Sequence, residues 1–443
     1  MPRRVMVIGG GAAGMSAASA ARRADPTADV TVLERGPFPS YGVCGLPYYL
    51  GGIIGEAESL IAYPAAEFRE RRRIDLRLDS VVASVDLGEH VVVDAEGVER
   101  EYDALVLAAG ATPIVPQIAG VDDSRVATVR RLEDAIALHD RLGSARRAAV
   151  IGAGYVGLEM AEALHERGLE VTVMDRLPRV MTTVDPQIAE VVQAETERHC
   201  RLLLDAELTG LHPRKTHVDV EYAGGVIPAD IVVLALGVRP STGLVPALTA
   251  LPNGALIVDD RMRTSDPHVY AAGDCIAVHH RVLGGPAYVP LGPAANRTGR
   301  VAGTVAGGGD AAFAGVVGTA VVKVFDLTVA HTGITLEEAR ARGWEAEATQ
   351  VTAKSRAKYY PGAQPLTVRL VHEPGGRVLG AQMAGRDGVA QRINVVAAAL
   401  QVGMSIDDVA ALDLAYAPPY SPVYDPLIQA AQAAVFDRGR DRS

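Results

Sequence analysis

Cysteine is scarce in this chain: three in 443 residues, at positions 44, 200 and 275. Spread so thinly, they exclude a disulfide framework and point to a reducing cytoplasm. Neither H-E-x-x-H nor C-x-x-C occurs among the eleven histidines and three cysteines, so no metal site is expected. No run of about 18 or more uncharged apolar residues exists, which argues against a membrane-spanning helix. Pro2-Arg3-Arg4 leads directly into Val5-Met6-Val7-Ile8 and a glycine cluster, a short strand and not a secretory leader. Positive charge is outweighed, and a net charge of −10 argues against nucleic-acid or anionic-membrane partners. The length suggests about three domains, and an apolar fraction of 49% allows each a core.

What is present is a repeated phosphate-binding pattern. Val5–Ile8 reads as a buried strand, Gly9-Gly10-Gly11-Ala12-Ala13-Gly14 as a turn, Met15 to Arg23 as a helix, and Val30–Leu33 as a strand ending at Glu34. Gly9 permits the tight turn, Gly11 lets backbone N–H groups approach a pyrophosphate, and Gly14 lets helix and strand pack closely. Glu34, 34 − 14 = 20 residues after the last glycine, is placed to accept bonds from ribose hydroxyls. The unit recurs: a strand at Ala148–Ile151, a turn with Gly152, Gly154 and Gly157, a helix from Leu158 to Arg167, and a strand from Glu170 to Met174 closing on Asp175. Here the acid follows the last glycine by 175 − 157 = 18 residues. Two such units imply two dinucleotides with chemistry between them.

Later segments support the division. Ala104 to Pro113 and Ile231 to Pro240 are both buried strands ending in a glycine turn and a proline, and Val269 to Asp274 is a third strand closing on Gly-Asp. The final region alternates as strands at Ala320–Val324 and Leu366–Val371, has later helices, and lacks a phosphate turn. The expected fold class is α/β, with two Rossmann-like dinucleotide-binding domains (1–114 with 246–318, and 115–245) and an α+β domain at 319–443. The chain is expected to end in the polar stretch Arg438–Ser443 with no further domain. Between the first unit and the rest lies Ser40-Tyr41-Gly42-Val43-Cys44-Gly45-Leu46-Pro47-Tyr48-Tyr49, with one cysteine and no second nearby.

Together the two glycine turns, Ala-Ala-Gly-Ala-Thr-Pro and Ala-Ala-Gly-Asp resemble the flavin-dependent pyridine nucleotide–disulfide oxidoreductases. The run Cys-Gly-Leu-Pro-Tyr-Tyr resembles their single-cysteine branch, in particular the coenzyme A-disulfide reductases. The resemblance implies FAD on the first unit, NADH (with NADPH possible) on the second, and a homodimer with shared active sites made by the third. It implies that Asp274, after Gly273, holds the flavin ribityl chain, with Arg35, Val82, Ala109 and Gly110 completing the FAD site. Tyr155 matches the aromatic covering the nicotinamide pocket, Glu159 a carboxylate near the nicotinamide amide, and Gly237 belongs to the same site. Tyr359 and Tyr416 match tyrosines that reach the partner's active site, with Tyr360 competing for the role of Tyr359. Arg22, Ser40 and Asn296 are the expected substrate contacts, Arg22 preferred over Arg23 and Arg69–Arg73 as the cation for coenzyme A phosphates. Asp175 favours NADH, while Arg176 and Arg179 leave room for a 2′-phosphate.

The mechanism this implies passes electrons from the nicotinamide through the flavin to a mixed disulfide between Cys44 and a small thiol. Cys44 then returns as a thiolate whose pKa is expected to be lowered by the flavin and by a helix starting near Leu46-Pro47. Coenzyme A disulfide, persulfide or polysulfide are the expected substrates. Two alternatives stand. One is a water-forming NADH oxidase cycling Cys44 through sulfenic acid, disfavoured because Ala12 occupies the position where such enzymes usually carry a histidine. The other is a non-enzymatic redox-sensing flavoprotein. Cys200 and Cys275 are expected to be packed and inert.

Overall fold

A computed structural model describes residues 1–441. The chain divides into two compact units, one of residues 1–115, 128–143 and 237–316, the other of residues 116–127, 144–236 and 317–443. The boundaries expected at 115 and 245 shift accordingly. The segment 128–143 joins the first unit, and so does 237–245, because Val238–Pro240 pairs antiparallel with Ala111–Pro113. The polar end forms helix through Asp441, and Arg442 and Ser443 lie outside the described residues.

In the first unit β1 (Arg4–Ile8), α1 (Ala12–Ala24) and β2 (Asp29–Leu33) follow the expected order. After the short helix α2 (Leu46–Leu50) come β3 (Asp75–Arg77) and β4 (Ala104–Leu107). Helix α3 (Leu132–Leu142) is the inserted segment. In the second unit β5 (Arg147–Ile151), α4 (Tyr155–Glu166) and β6 (Glu170–Met174) repeat the opening motif. They are followed by α5 (Pro186–Glu197), β7 (Arg201–Leu203) and β8 (Ile231–Leu234). The chain returns to the first unit with β9 (Val269–Ala271) and α6 (Gly292–Ala306).

Both central sheets are parallel. The first is ordered β9-β4-β1-β2-β3, and the second β7-β6-β5-β8 with Val126–Ala127 at its edge. All four residues of β4 and of β8 are buried, as strands covered on both faces must be. Helix α6 lies directly on α1: a Cβ on Gly299 would sit 2.2 Å from the Ala13 carbonyl oxygen, and one on Gly303 1.9 Å from that of Ala17. Small residues on both helices permit this approach, and it holds the start of α1 rigidly.

The second unit also contains an antiparallel sheet ordered β10 (Ala320–Val324), β11 (Leu327–Gly333), β14 (Val378–Gly385), β13 (Pro365–His372), β12 (Glu347–Lys354). It is accompanied by α7 (Leu336–Ala341), α8 (Val389–Val402) and α9 (Pro426–Asp441). No helix among the described residues is long and apolar enough to cross a membrane.

Candidate active site

The glycine turn between β1 and α1 is shaped by backbone crowding. Gly9 has φ +105°, and a Cβ there would lie 2.3 Å from the Ala108 carbonyl oxygen. A Cβ on Gly14 would lie 1.8 Å from the Gly9 carbonyl oxygen, so no larger residue fits. Above Gly11 the space is open, and Gly11 caps α1 with extended backbone and no side-chain hydrogen bond. The first N–H groups of α1 are therefore left for an anion. Glu34 closes the cradle by accepting from the backbone N–H of Gly10 and from that of Gly36 at 2.8 Å.

The second turn repeats this arrangement closely. Gly152 has φ +112° with the Ala235 carbonyl 2.3 Å from a Cβ, Gly157 would clash with Gly152 at 1.8 Å, and Gly154 faces open space. Asp175 takes the role of Glu34, accepting from Ala153 N at 2.7 Å and Leu177 N at 2.9 Å. Both turns fit a dinucleotide pyrophosphate. Arg176 is exposed, whereas Arg179 is bound to Glu337 and so is committed elsewhere.

Around the first cradle, Gly273 (φ +81°) donates to Thr298 Oγ1 at 3.1 Å, and the Asp274 carboxylate is paired with Arg130 at 2.6 Å. Tyr288 donates its hydroxyl to the Asp274 carbonyl at 3.1 Å. Gly110 has φ +67°, its would-be Cβ 3.8 Å from an Arg130 amino group. Ala109 packs against the core beneath. Val82 is half-buried at a strand pairing with Asp94, and Arg35 is exposed. Arg130 carries no sequence motif; it was missed because its segment reads as part of the second domain. Gly237, expected in the nicotinamide site, falls in the first unit with its carbonyl accepting from Ile114 N at 2.9 Å.

Cys44 is exposed and Cys200 and Cys275 are buried, and none of the three is in a disulfide. Its loop is tied to the phosphate turn: Ser40, with φ +52°, donates its N–H to the Gly10 carbonyl at 2.8 Å. The Ser40 carbonyl accepts from Ala62 N at 2.8 Å, and Gly42 N donates to the Leu60 carbonyl at 2.9 Å. Cys44 stands in the single turn Val43–Gly45 just before α2. With only five residues, α2 offers the thiolate a much weaker dipole than the sequence reading expected. Burial pushes Cys200 and Cys275 each up to about 12, and Cys275 Sγ donates to the Ala272 carbonyl at 3.2 Å. Both remain thiols.

Arg22, expected to meet coenzyme A phosphates, has its guanidinium engaged within the chain. Its guanidinium donates to the carbonyls of Pro26 (3.0 Å), Ala28 and Arg73, pinning the end of α1. Arg23 is exposed and lies two helical turns from Ser16, whose hydroxyl donates to Asn296 Oδ1 at 2.9 Å. Ser16 was not singled out by sequence, since one serine in an Ala-rich helix carries no signal. Of the other arginines, Arg71 and Arg72 are paired with Glu67 and Arg69 bonds the Leu76 carbonyl.

In the second unit Tyr155 opens α4, its ring centroid 6.2 Å from that of His331 and its hydroxyl buried close to Thr183. Desolvation pushes the phenol up to about 12. One turn on, burial and then the neighbouring Glu162 raise Glu159 to about 7. Glu162 itself binds Lys323 and the Phe325 N–H. The loops of two tyrosines distant in sequence meet: Ala357 N donates to the Pro418 carbonyl at 3.2 Å, and the neighbouring Tyr359 phenol pushes Tyr416 up. The Tyr360 ring centroid lies 6.0 Å from the Arg356 guanidinium carbon.

Two dinucleotide cradles and one exposed thiol tied to the first define a two-nucleotide redox enzyme. The pattern of the pyridine nucleotide-disulphide oxidoreductases matches residues 3–299, and that of their dimerisation domain residues 319–427. The chain belongs to this family, whose members use FAD and NAD(P)H. It is 38% identical over 442 residues to the CoA-dependent NAD(P)H sulfur oxidoreductase of Pyrococcus furiosus, covering 98% of this chain and 99% of that one. It is 32% identical over 431 residues to the coenzyme A disulfide reductase of Staphylococcus haemolyticus, covering 95% and 96%. Among solved structures, a NAD-dependent persulfide reductase from A. fulgidus matches at a TM-score of 0.94 and 40% identity, over 98% of this chain and 84% of that one. Proteins named NADH oxidase match as well.

Proposed function

We propose that this chain is an FAD-dependent NAD(P)H:disulfide reductase with Cys44 as its sole redox thiol, acting on coenzyme A disulfide or a coenzyme A persulfide or polysulfide. The observation that carries this reading is the position of Cys44, the one exposed cysteine, on a loop bonded through Ser40 to the phosphate turn at Gly10. Bound FAD supplies the two-electron link between nicotinamide and sulfur. Gly9, Gly11, Gly14, Glu34, Gly273 and Asp274 would hold it, and Gly152, Gly154, Gly157 and Asp175 the nicotinamide dinucleotide.

The thiolate of Cys44 attacks one sulfur of the substrate; a Cys44–S–S–R bond forms, the substrate S–S bond breaks, and RS⁻ leaves. Tyr416, whose loop meets that of Tyr359, gives that thiolate its proton. Tyr359 is preferred over Tyr360 because Tyr360 is turned to Arg356. Both phenols are exposed in the single chain (Tyr359 76%, Tyr416 47%), which suits delivery to the site of a second copy in a homodimer. Arg23, two turns along α1 from Ser16, which bonds Asn296, replaces Arg22 as the cation for coenzyme A phosphates. Asp175 favours NADH, and exposed Arg176 leaves NADPH usable. Three cysteines without a disulfide suit a reducing cytoplasm.

Ala12 within the glycine turn weighs against the NADH oxidase reading. The test is to assay the purified flavoprotein with NADH against coenzyme A disulfide, persulfide, polysulfide and oxygen, beside Cys44→Ser. Disulfide or persulfide turnover that vanishes in Cys44→Ser is expected. Oxygen uptake matching NADH consumption without added disulfide overturns the assignment.

A further inference from the structure

The meeting of the Tyr359 and Tyr416 loops calls for a physical cause, because they are far apart in sequence and both rings are solvent-facing. The cause lies beneath them. Arg392, near the start of α8 and 6% exposed, extends its guanidinium between the two loops. One amino group donates to the Ser355 carbonyl at 3.0 Å, at the root of the Tyr359 loop, and to the Tyr420 carbonyl at 3.3 Å, in the Tyr416 loop. Nε donates to Asp425 Oδ2 at 2.8 Å, and the other amino group to the Gly388 carbonyl at 3.0 Å. Asp425 is itself fixed by Ser421 Oγ at 2.9 Å and Leu427 N at 2.9 Å. Among the described residues one backbone bond joins the loops directly, Ala357 N to the Pro418 carbonyl at 3.2 Å. Ser355, Ser421 and Asp425 are all buried, so water does not compete for these groups.

We propose that Arg392 is a positioning residue for the disulfide half of the reaction: its one planar cation binds both tyrosine loops and sets the Tyr359–Tyr416 pair. A planar fork with five N–H groups can satisfy a carboxylate and three carbonyls at once. An ammonium has three donors on a flexible stem and cannot reach all four acceptors. The inference rests on the proton-donor role given to Tyr416 above.

The experiment compares Arg392→Lys, Tyr416→Phe and the double variant, each as full-length holoenzyme. Flavin content, thermal unfolding, the rate of flavin reduction by NADH, and kcat and KM for coenzyme A disulfide are measured across pH 6–9, a range of about three units around neutrality. Arg392→Lys is expected to reduce flavin at the wild-type rate and lose about ten- to a hundredfold in kcat with a smaller change in KM. In the Tyr416→Phe background the same change is expected to cost little more, because the group it positions is already gone. Should Arg392→Lys unfold, Asp425→Asn replaces it, keeping the shape and weakening the guanidinium contact. Unchanged kcat in the Arg variant beside an impaired Tyr416→Phe overturns this inference alone. Unchanged turnover in Tyr416→Phe overturns the proton-donor reading and this inference with it. Equal losses of kcat on both backgrounds, or a parallel loss in flavin reduction, reduce Arg392 to a structural residue.

Discussion

At the scale of single residues, the informative contrasts lie between neighbours of one type. Arg22 and Arg23 are adjacent on α1, yet one is spent on three carbonyls and the other is exposed. Arg23→Ala is expected to raise KM for coenzyme A substrates about tenfold with little change in thermal unfolding, as for loss of a charge-assisted contact worth about 1.5 kcal/mol. Arg22→Ala is expected to lower the unfolding temperature and leave KM in place. Steady-state kinetics and a melting curve on both variants decide between them. Tyr359 and Tyr360 pose the same question. Tyr360→Phe is expected to keep near-normal kcat, while Tyr416→Phe loses about a hundredfold, the lower end of what a general acid contributes. Comparable losses in both would show that the ring near Arg356 also reaches the substrate.

At the scale of elements, both phosphate turns were legible because their requirements are local. Gly14 and Gly157 admit no side chain, and spacing alone places Glu34 and Asp175 at strand ends beside the turns. Beside Cys44, the start of α2 was visible in Leu46-Pro47, but its five-residue length was not. What could not be read was pairing across long intervals. Arg130 meets Asp274, and the Tyr359 loop meets the Tyr416 loop at Ala357 and Pro418, through tertiary geometry that leaves no periodicity or motif behind. Helix α4 carries a prediction of its own. Glu159 holds its proton up to about 7, above the ordinary carboxylate value of 4.5. Between those values the folded chain binds more protons than the unfolded one, so this group's contribution to stability falls as pH rises through that window. Glu159→Gln is expected to raise the melting temperature more at pH 8 than at pH 5. A uniform shift at both pH values would contradict the raised pKa.

At the scale of the whole chain, the second unit is held by a buried charge network. Asp185, 0% exposed, accepts from Arg369 Nε at 2.9 Å, Gln382 Nε2 at 2.8 Å, and the N–H groups of Leu336 and Glu337, both at 3.2 Å. This joins the start of α5 to the antiparallel sheet and to α7. Arg369→Met leaves a buried carboxylate with weakened compensation and is expected to cost about 3–5 kcal/mol. Denaturant unfolding of the holoenzyme measures it, and a loss below about 1 kcal/mol would mean that solvent reaches Asp185.

One bond described above ties two histories together. Because the amide of Ser40 is held by the carbonyl of Gly10, the seat of Cys44 is set by the same few peptides that form the first glycine turn, the cradle proposed for FAD. Emptying that cradle loosens the thiol's perch, and the apoprotein should then surrender Cys44 to an alkylating reagent faster than the flavin-loaded form does.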